Sequence, residues 1–370
     1  MNGRPSTSLY NVVDSFSADY GQARARFRDF ARESGGELEA LEYPELGPDG
    51  ARLTCDTAWF GPRTAERVLV LISGTHGVEG FCGSGAQIDL LRRGEAARLP
   101  AGVAVLMIHG INPYGFAWLR RVTHENVDLN RNWIDFSRAP PANPGYDQLS
   151  TAICPEVWSD ETEPDIARAM AALAQRVGIA EMERSLTSGQ YHHPTGIYYG
   201  GTEPTWSRKA QTEVFRTCLG QAGRVAIIDY HTGLGPRGYA EKIVTQPRES
   251  AAFRRAQAWY GAAVTSTYDG SAASVSIEGD SLSAAAALLP HAEVTAMALE
   301  VGTLASEQVI AAVIADNWLH ARGDLTSPLG QSIKAKIRSA FYCDQDDWKG
   351  MVAGQSMQAC RQAVAGLLQS

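Results

Sequence analysis

The chain has 370 residues, of which 44% are hydrophobic and 20% are charged, and its formal net charge is −8 at pH 7. This hydrophobic content is ample for a sizeable core, in one large domain or two, and excludes a disordered chain. The acidic balance, without a long run of lysine or arginine, argues against nucleic acid or an anionic membrane as the main partner. We therefore expect a protein that acts on small molecules or peptides.

Six cysteines are scattered along the chain and form no C-x-x-C pair, a distribution that suits a reducing compartment and does not indicate disulfides. The first thirty residues contain no apolar segment after a basic start. No stretch of about 18 apolar residues occurs anywhere in the sequence. These features predict a cytoplasmic location.

The first part of the chain predicts a helix, a hairpin and a buried strand. Residues 14–33 place apolar side chains three or four positions apart, which predicts an amphipathic helix. Residues 38–43 and 52–60 alternate enough to be strands, and the turn-rich segment 45–50 between them predicts a hairpin. The continuously apolar run 68–73 predicts a buried strand of a parallel or mixed sheet.

The loop after this buried strand carries His76 and Glu79. In open α/β sheets the ligand binds at the loops beyond the carboxyl ends of the strands, so these two side chains are candidates for chemistry. A loop His-x-x-Glu brings one nitrogen and one oxygen ligand to a single metal ion, although the pair alone is a weak signal. Whether this pair indicates a metal site depends on the residues that follow in the chain.

A second polar loop follows the next buried strand. A helix is predicted over 83–93 and a strand over 102–109, and the loop 110–133 beyond them is dense in asparagine, aspartate and arginine. Pro113 and Gly115 fix the turns of this loop, so its polar side chains can be held in place. The loop is therefore a second candidate part of a site.

Two further apolar runs end in residues that can take part in chemistry. Residues 223–230 predict a third buried strand, which ends at His231, and residues 294–301 predict a fourth, with Glu300 at its end. In a mixed sheet with helices on both faces, such strand ends converge on one crevice. The sequence thus predicts that these residues meet the two polar loops.

Together these residues predict a metal centre. His76, Glu79 and His231 are the ligand set expected of a catalytic zinc site, with the fourth position left to water. Glu300 fits a general base toward that water, because an acidic residue at the end of an apolar run is costly to bury unless it is paired or used. The predicted cofactor is one zinc ion per chain.

These motifs, in this order, resemble the zinc carboxypeptidase (funnelin) family. The segments that carry the resemblance are HGVEG, NPYGF, RRVTHENVDLNRNW and DYHTGLGP, and with the strand-end glutamate they span roughly residues 66–305. The pattern is similar also to the small-molecule branch of that family, the succinylglutamate desuccinylases and aspartoacylases. It looks most like a poorly characterised bacterial branch.

The resemblance implies a role for each matched residue around the metal. The three predicted ligands would bind zinc, and Glu300 would serve as general base and acid. Asp128 would accept a hydrogen bond from His76 and fix its tautomer. Arg121 would polarise the scissile carbonyl and stabilise the oxyanion, with Arg120 as the fallback for that role or as a substrate-binding residue.

The resemblance also implies how a substrate is held. Asn130 and Arg131 match the pair that receives a substrate carboxylate, for which a bidentate guanidinium is apt. The family usually places a mobile tyrosine over the substrate, and Tyr239 and Tyr268 are the candidates here. The segment 135–220 is predicted to be an insertion that covers the site and restricts access for large peptides.

For the fold, we predict an α/β domain whose mixed, mostly parallel twisted sheet has about eight strands and is flanked by helices, as in the zinc carboxypeptidases. Strands at 239–246 and 262–268 complete the sheet. The hydrolase domain is predicted over 1–330, because the sequence contains no repeat, low-complexity tract or linker. Residues 331–370 are predicted to be a C-terminal helical appendage.

The predicted activity is zinc-dependent hydrolysis of an amide bond in a small carboxylate-bearing substrate or a short peptide. Two substrate classes stay open: a peptide cut by a carboxypeptidase, or an N-acyl amino acid or similar amide cleaved by a deacylase or amidase. A non-catalytic binding protein on the same fold is a third alternative, against which the full set of polar site residues argues. The sequence leaves the oligomeric state open, a homo-oligomer included.

Overall fold

The apolar runs of the sequence form the strands of one sheet in the computed structural model, which describes residues 10–369. The predicted domain bounds also included residues 1–9 and 370, which lie outside the described part of the chain. The strands are β1 Glu37–Leu46, β2 Arg52–Phe60, β3 Arg67–Ile72, β4 Val103–His109, β5 Arg224–Thr232, β6 Ala240–Val244, β7 Val264–Ser266 and β8 Glu293–Val301.

Over residues 10–369 the sheet has eight strands in the order β1-β2-β4-β3-β5-β8-β6-β7. The hairpin β1–β2 is antiparallel and joins the sheet through an antiparallel pairing of β2 with β4. The centre is parallel, with β3 between β4 and β5 and with β8 beside β5. β6 runs antiparallel to β8 and parallel to β7. The predicted fold class, a mixed and mostly parallel sheet flanked by helices, is confirmed.

Helices cover both faces of the sheet. The described helices are α1 Tyr20–Glu33, α2 Gly80–Arg92, α3 Pro113–Ala117, α4 Pro144–Ile153, α5 Thr162–Val177, α6 Ile179–Thr187, α7 Trp206–Cys218, α8 Ala251–Tyr260, α9 Ser281–Leu288, α10 Ser306–Arg322, α11 Pro328–Phe341 and α12 Asp346–Leu367. Among these described helices, none combines the length and the apolar character needed to cross a bilayer. The six cysteines are free thiols.

Alternate side chains of β3 enter two different cores. Leu69 and Leu71 pack with residues of α1, α2, α8 and α12, whereas Val68, Val70 and Ile72 pack on the other face with residues of α7 and α9. Side chains of a strand point alternately to the two faces, so a strand that is covered on both faces needs apolar residues at every position. This explains the continuous apolar run in the sequence.

Part of the predicted insertion packs beside the carboxyl ends of the central strands. Tyr146 of α4 and Leu186 of α6 are buried in an apolar cluster with Val313 of α10 and Phe341 of α11. Val78, from the loop after β3, belongs to the same cluster. Helix α7, by contrast, packs on the sheet itself. The insertion therefore adds a wall near the strand ends and also contributes to the central core.

The C-terminal helices, which the sequence predicted as an appendage beyond residue 330, pack on the main core. Trp348 of α12 is fully buried, and its indole Nε1 donates to the carbonyl oxygen of Gly302 at 3.0 Å. The hydroxyl groups of Tyr230 on β5 and Ser356 on α12 lie 2.6 Å apart and are buried. Helix α12 therefore completes one face of the sheet.

We expect Trp348→Ala to lower the free energy of unfolding by about 3–5 kcal/mol, because it empties a large buried volume and removes one of the two donors to the carbonyl oxygen of Gly302. Urea unfolding followed by circular dichroism would measure the change. Met351→Ala is the control, since this side chain on the same helix is 41% exposed; its effect should stay within about 0.5 kcal/mol. Equal effects of the two substitutions would mean that α12 is peripheral to the core.

Candidate metal centre

The loop after β3 is folded tightly against the loop after β4. Gly74 has a φ of +74°, a conformation that side chains other than glycine rarely adopt. Gly77 begins the single 3-10 turn Gly77–Glu79, and a Cβ atom at this position would lie 2.0 Å from the backbone of Gly115. Only glycine fits so close an approach. The turn therefore holds the side chains at its two ends, His76 and Glu79, in fixed positions.

Three side chains converge at the ends of β3 and β5, which are parallel neighbours. His76 Nδ1 lies 2.9 Å from Glu79 Oε1. His231, near the end of β5, places its Nδ1 3.0 Å from Glu79 Oε2 and 3.2 Å from His76 Nδ1. All three side chains are buried. The structure thus brings together the three residues predicted to be metal ligands.

This arrangement fits a zinc ion. Two imidazole nitrogens and a carboxylate oxygen, all within 4.8 Å of one another, are the donor set of a catalytic zinc site. Donor atoms around a tetrahedral zinc ion stand about 3.3 Å apart, given Zn–N distances of about 2.0–2.1 Å. The separations in the structure are close to that value. The Nδ1 atoms of the two rings face each other at 3.2 Å, and a positive charge between them would stabilise two facing lone pairs.

A buried carboxylate lies at the far nitrogen of each histidine. His76 Nε2 is 3.3 Å from Asp128 Oδ1, and His231 Nε2 is 3.0 Å from Asp229 Oδ2. An ionised carboxylate only accepts hydrogen bonds, so Asp229 favours the ring proton of His231 on Nε2 and leaves its Nδ1 free for a metal. Sequence reasoning missed Asp229, although an acidic residue inside a continuously apolar strand could have indicated it. Thr75 Oγ1 donates to this carboxylate at 2.9 Å.

The close charges shift the pKa values of the candidate ligands. Burial disfavours the ionised form of Glu79, but His76 and His231 outweigh it and lower the pKa of this carboxyl. Burial likewise disfavours the charged form of His231, yet Asp229 and Glu79 raise its pKa well above the usual range. A proton on His231 must leave when a metal binds. Metal affinity should therefore rise with pH.

Arg121 borders the three candidate ligands. Its Nε donates to Asp128 Oδ2 at 2.9 Å, and one Nη donates to Glu79 Oε1 at 3.2 Å. Its other Nη lies 2.9 Å from His76 Nε2. Burial favours the neutral form of the guanidinium, but Asp128 and Glu79 raise its pKa above the usual range. The centre thus has a permanent positive charge in a fixed orientation.

Arg120 points away from this centre, although it is adjacent to Arg121 in the chain. Its Nε is 3.6 Å from Asp316 Oδ2 on α10, and one Nη donates to Asn126 Oδ1 at 2.8 Å. Its side chain does not border the cavity next to the metal centre. The structure therefore places Arg120, predicted as a fallback for Arg121 or as a substrate-binding residue, away from the cavity.

Glu300 lies on β8 beside His231 of β5, since the two residues are partners in the parallel pairing. Its Oε1 accepts a hydrogen bond from the backbone N–H of Leu234 at 3.0 Å. Burial and the nearby Glu79 raise the pKa of Glu300 to about 7. A cation among the three ligands would act in the opposite sense and favour the charged form. A carboxyl with a pKa in this region can both accept and return a proton.

The centre opens into a cavity of about 220 Å³. Its apolar wall comes from two separate clusters. Ile243, Leu282 and Ala298 belong to the core between the sheet and helices α7 and α9, whereas Val309 and Phe341 belong to the cluster that contains α10 and α11. The cavity therefore lies between two apolar surfaces, with the three candidate ligands and Glu300 along its polar side.

Asn130 and Arg131 line this cavity from the 3-10 turn Leu129–Arg131. Asp128 caps the turn by accepting the backbone N–H of Asn130 at 2.9 Å. The Nη atoms of Arg131 donate to the backbone carbonyls of Asn130 and Thr187. The nearest carboxylate of the described residues, on Asp128, is 4.0 Å away. Burial lowers the pKa of Arg131, so this cation would be stabilised by an anionic ligand.

Tyr198 borders the cavity beside the two arginines, and sequence reasoning missed it. Its ring centroid lies 5.3 Å from the guanidinium carbon of Arg121 and 5.4 Å from that of Arg131, and its φ is +55°. The predicted candidates Tyr239 and Tyr268 are 46% and 57% exposed and do not border the cavity. Aromatic residues and glycines surround Tyr198 in the sequence, a composition that is common in loops that line pockets. No sequence pattern indicated which aromatic ring would face the site.

Comparison with protein families places the chain in one of them. The family model described as "Protein of unknown function (DUF2817)" matches residues 16–355. This match covers most of the chain, so the protein belongs to that family. No curated protein matches the chain.

Solved structures similar to this chain include a peptidase and members of deacylase families. Carboxypeptidase A from Helicoverpa armigera is 11% identical, with a TM-score of 0.45 over 90% of this chain and 77% of that chain. An aspartoacylase family protein from Mesorhizobium loti is 14% identical, with a TM-score of 0.35 over 79% and 68%. A succinylglutamate desuccinylase from Chromobacterium violaceum is 12% identical, with a TM-score of 0.38 over 89% and 74%. These are the groups that the sequence motifs resemble, but at such identities no activity carries over to this chain.

We expect Asp229→Asn to lower zinc affinity about ten- to a hundredfold, because an amide fixes the proton on His231 less firmly than a carboxylate. Competition with a chromophoric chelator would measure the affinity. Asp165→Asn is the control, since Asp165 is exposed on α5, and it should bind zinc as the unmodified protein does. Unchanged affinity in Asp229→Asn would show that this carboxylate does not hold the ring.

Proposed function

We propose that the protein hydrolyses the amide bond of a small substrate that carries one carboxylate. The observation that carries this proposal is the cluster of His76, Glu79 and His231, which opens on a cavity shared with Glu300. These three side chains would hold one zinc ion. When bound, the ion supplies Lewis acidity toward an amide carbonyl and toward water.

The side chains of the centre would divide the remaining chemistry among them. Glu300 takes a proton from the attacking water while the hydroxide oxygen bonds to the carbonyl carbon. It then gives that proton to the nitrogen as the C–N bond breaks, so the products are a carboxylic acid and an amine. Arg121, held by Asp128 and Glu79, stabilises the negative charge that develops on the carbonyl oxygen.

Arg131 and Asn130 would receive the carboxylate of the substrate. Arg131 has a fork of N–H donors, is buried, and has no described carboxylate at hydrogen-bond distance. The amide group of Asn130 lines the same wall of the cavity. A carboxylate bound here fixes one end of the substrate, and this constraint lowers the entropic cost of placing the amide for attack.

The other charges of the cavity disfavour a second carboxylate on the substrate. Apart from Arg131, the cavity's lining arginine is Arg121, which is already paired with two carboxylates. Glu183 and Asp280 also line the cavity and are acidic. A second negative charge would meet like charges instead of a free cation. The apolar walls favour a neutral side chain.

The size of the cavity favours an N-acyl amino acid over a long peptide. A volume of about 220 Å³ is modest for a binding site, and the insertion narrows the cavity with Glu183, Thr187 and Tyr198. We therefore favour a deacylase or amidase. A carboxypeptidase acting on short peptides is the second candidate, because the pair Asn130 and Arg131 suits the terminal carboxylate of a peptide equally well.

We expect Glu300→Gln to keep its zinc and to lose hydrolysis by a factor of about 10² to 10⁴, because glutamine cannot accept and return a proton. Zinc content would be measured by elemental analysis and turnover by release of the free amine. Glu293→Gln is the control, since it lies at the exposed start of the same strand. Undiminished hydrolysis by Glu300→Gln would remove this residue from the mechanism.

We expect the zinc-loaded protein to hydrolyse N-acetyl-leucine with kcat/KM at least about tenfold higher than N-acetyl-aspartate, because the second carboxylate meets acidic groups. Arg131→Gln should raise KM for the leucine substrate by about one to two powers of ten, as expected for a lost charged hydrogen bond. Short peptides with free and with amidated C-termini would be assayed as further substrates. Faster turnover of the aspartate substrate would contradict the charge argument, and no turnover of any amide would contradict the proposed function.

A further inference from the structure

The C-terminal end of helix α11 is tied to the ends of β5 and β8. Thr232 directly follows the candidate ligand on β5, and its hydroxyl donates to the carbonyl oxygen of Phe341 at 2.7 Å. Thr303 lies just beyond the end of β8, and its hydroxyl donates to the carbonyl oxygen of Ala340 at 2.6 Å. The last carbonyls of a helix have no partners within the helix, so they are natural acceptors for such bonds.

The middle of α11 is tied to the loop that carries Arg121. Lys334 Nζ donates to the carbonyl oxygen of Leu119 at 2.8 Å, and Leu119 has a φ of +53°. The next two carbonyls along the chain accept the backbone N–H groups of Val78 and Gly77, at 2.8 and 3.1 Å. Both of these N–H groups lie in the turn between the first two candidate ligands. The Lys334 side chain thus connects the helix to the backbone that supports the centre, beside the apolar contact of Val78 with the same helix.

Lys334 is held in a buried charge cluster. Its side chain is 16% exposed, it contacts the carboxylate of Asp316, and it lies 3.1 Å from His320 Nε2. Arg120 approaches the other oxygen of Asp316 at 3.6 Å. Burial lowers the pKa of Lys334, and Asp316 opposes that shift. Buried charges are costly when they lose a partner, so this cluster favours one arrangement of its parts.

We propose that α11 braces the metal centre and that Lys334 is the positioning residue of this brace. By holding Leu119, it keeps Arg121 against Glu79 and Asp128 and keeps the turn Gly77–Glu79 in place. Lys334 contacts none of the three candidate ligands, so it acts through the backbone. The kinetic consequence rests on the proposed function, whereas the consequence for metal binding does not.

The test compares Lys334→Met with Lys336→Met. Methionine keeps much of the length of the side chain and removes the donor. We expect zinc affinity to fall about tenfold, the absorption bands of the cobalt-loaded protein to change, and kcat to fall by a larger factor than KM rises, because Arg121 acts in the transition state. Lys334→Arg should restore part of each property. Lys336, 62% exposed on the same helix, is the control and should change none of them.

Unchanged zinc affinity and an unchanged cobalt spectrum in a folded Lys334→Met protein would overturn the proposal. If this variant does not fold, Thr232→Val tests the same brace from its other end. There too, affinity and spectrum equal to those of the unmodified protein would overturn it. A protein whose zinc affinity depends on Lys334 but which hydrolyses none of the amides supports the brace and contradicts the proposed function.

Discussion

The constraint on which the site depends is a buried carboxylate between two imidazoles. Glu79 is only 1% exposed, so its charge must be compensated by the guanidinium of Arg121, by a proton on His231 or by a bound cation. Asp128 and Asp229 add negative charge behind the rings, and Arg121 supplies a fixed positive charge beside them. These buried negative charges favour a cation among the three candidate ligands.

The sequence predicted the strands and the ends that carry the candidate ligands for a physical reason. A strand buried on both faces is apolar at every position, and parallel neighbours deliver their carboxyl ends to one edge of the sheet. Polar residues at the ends of such apolar strands, as at His76, His231 and Glu300, are therefore easy to recognise in the sequence. No comparable sequence pattern indicates the direction in which a side chain of a loop points. Arg120 and Arg121 are chemically identical neighbours, and only the three-dimensional path of the loop sends one to Asp316 and the other to the centre.

The C-terminal helices show a second limit of pattern reading. Helix α12 packs against the sheet and its helices through small residues, including Ala359, Ala363 and Gly366, whose close fit depends on backbone approach more than on side-chain hydrophobicity. The sequence of α12 therefore shows only a weak hydrophobic stripe, as is typical of a peripheral helix. The left-handed backbone of Tyr198 is likewise fixed by its surroundings, so the sequence alone could not orient its ring.

The antiparallel pairing of β6 with β8 has a consequence for how this protein can change over evolution. Ile243 faces the cavity from β6 beside Ala298 of β8, while the candidate ligands lie on loops and ends of other strands. Enlarging or filling the cavity at these two positions would leave the charges of the centre untouched. The apolar width of the cavity can thus change at β6 and β8 while the three candidate ligands stay as they are.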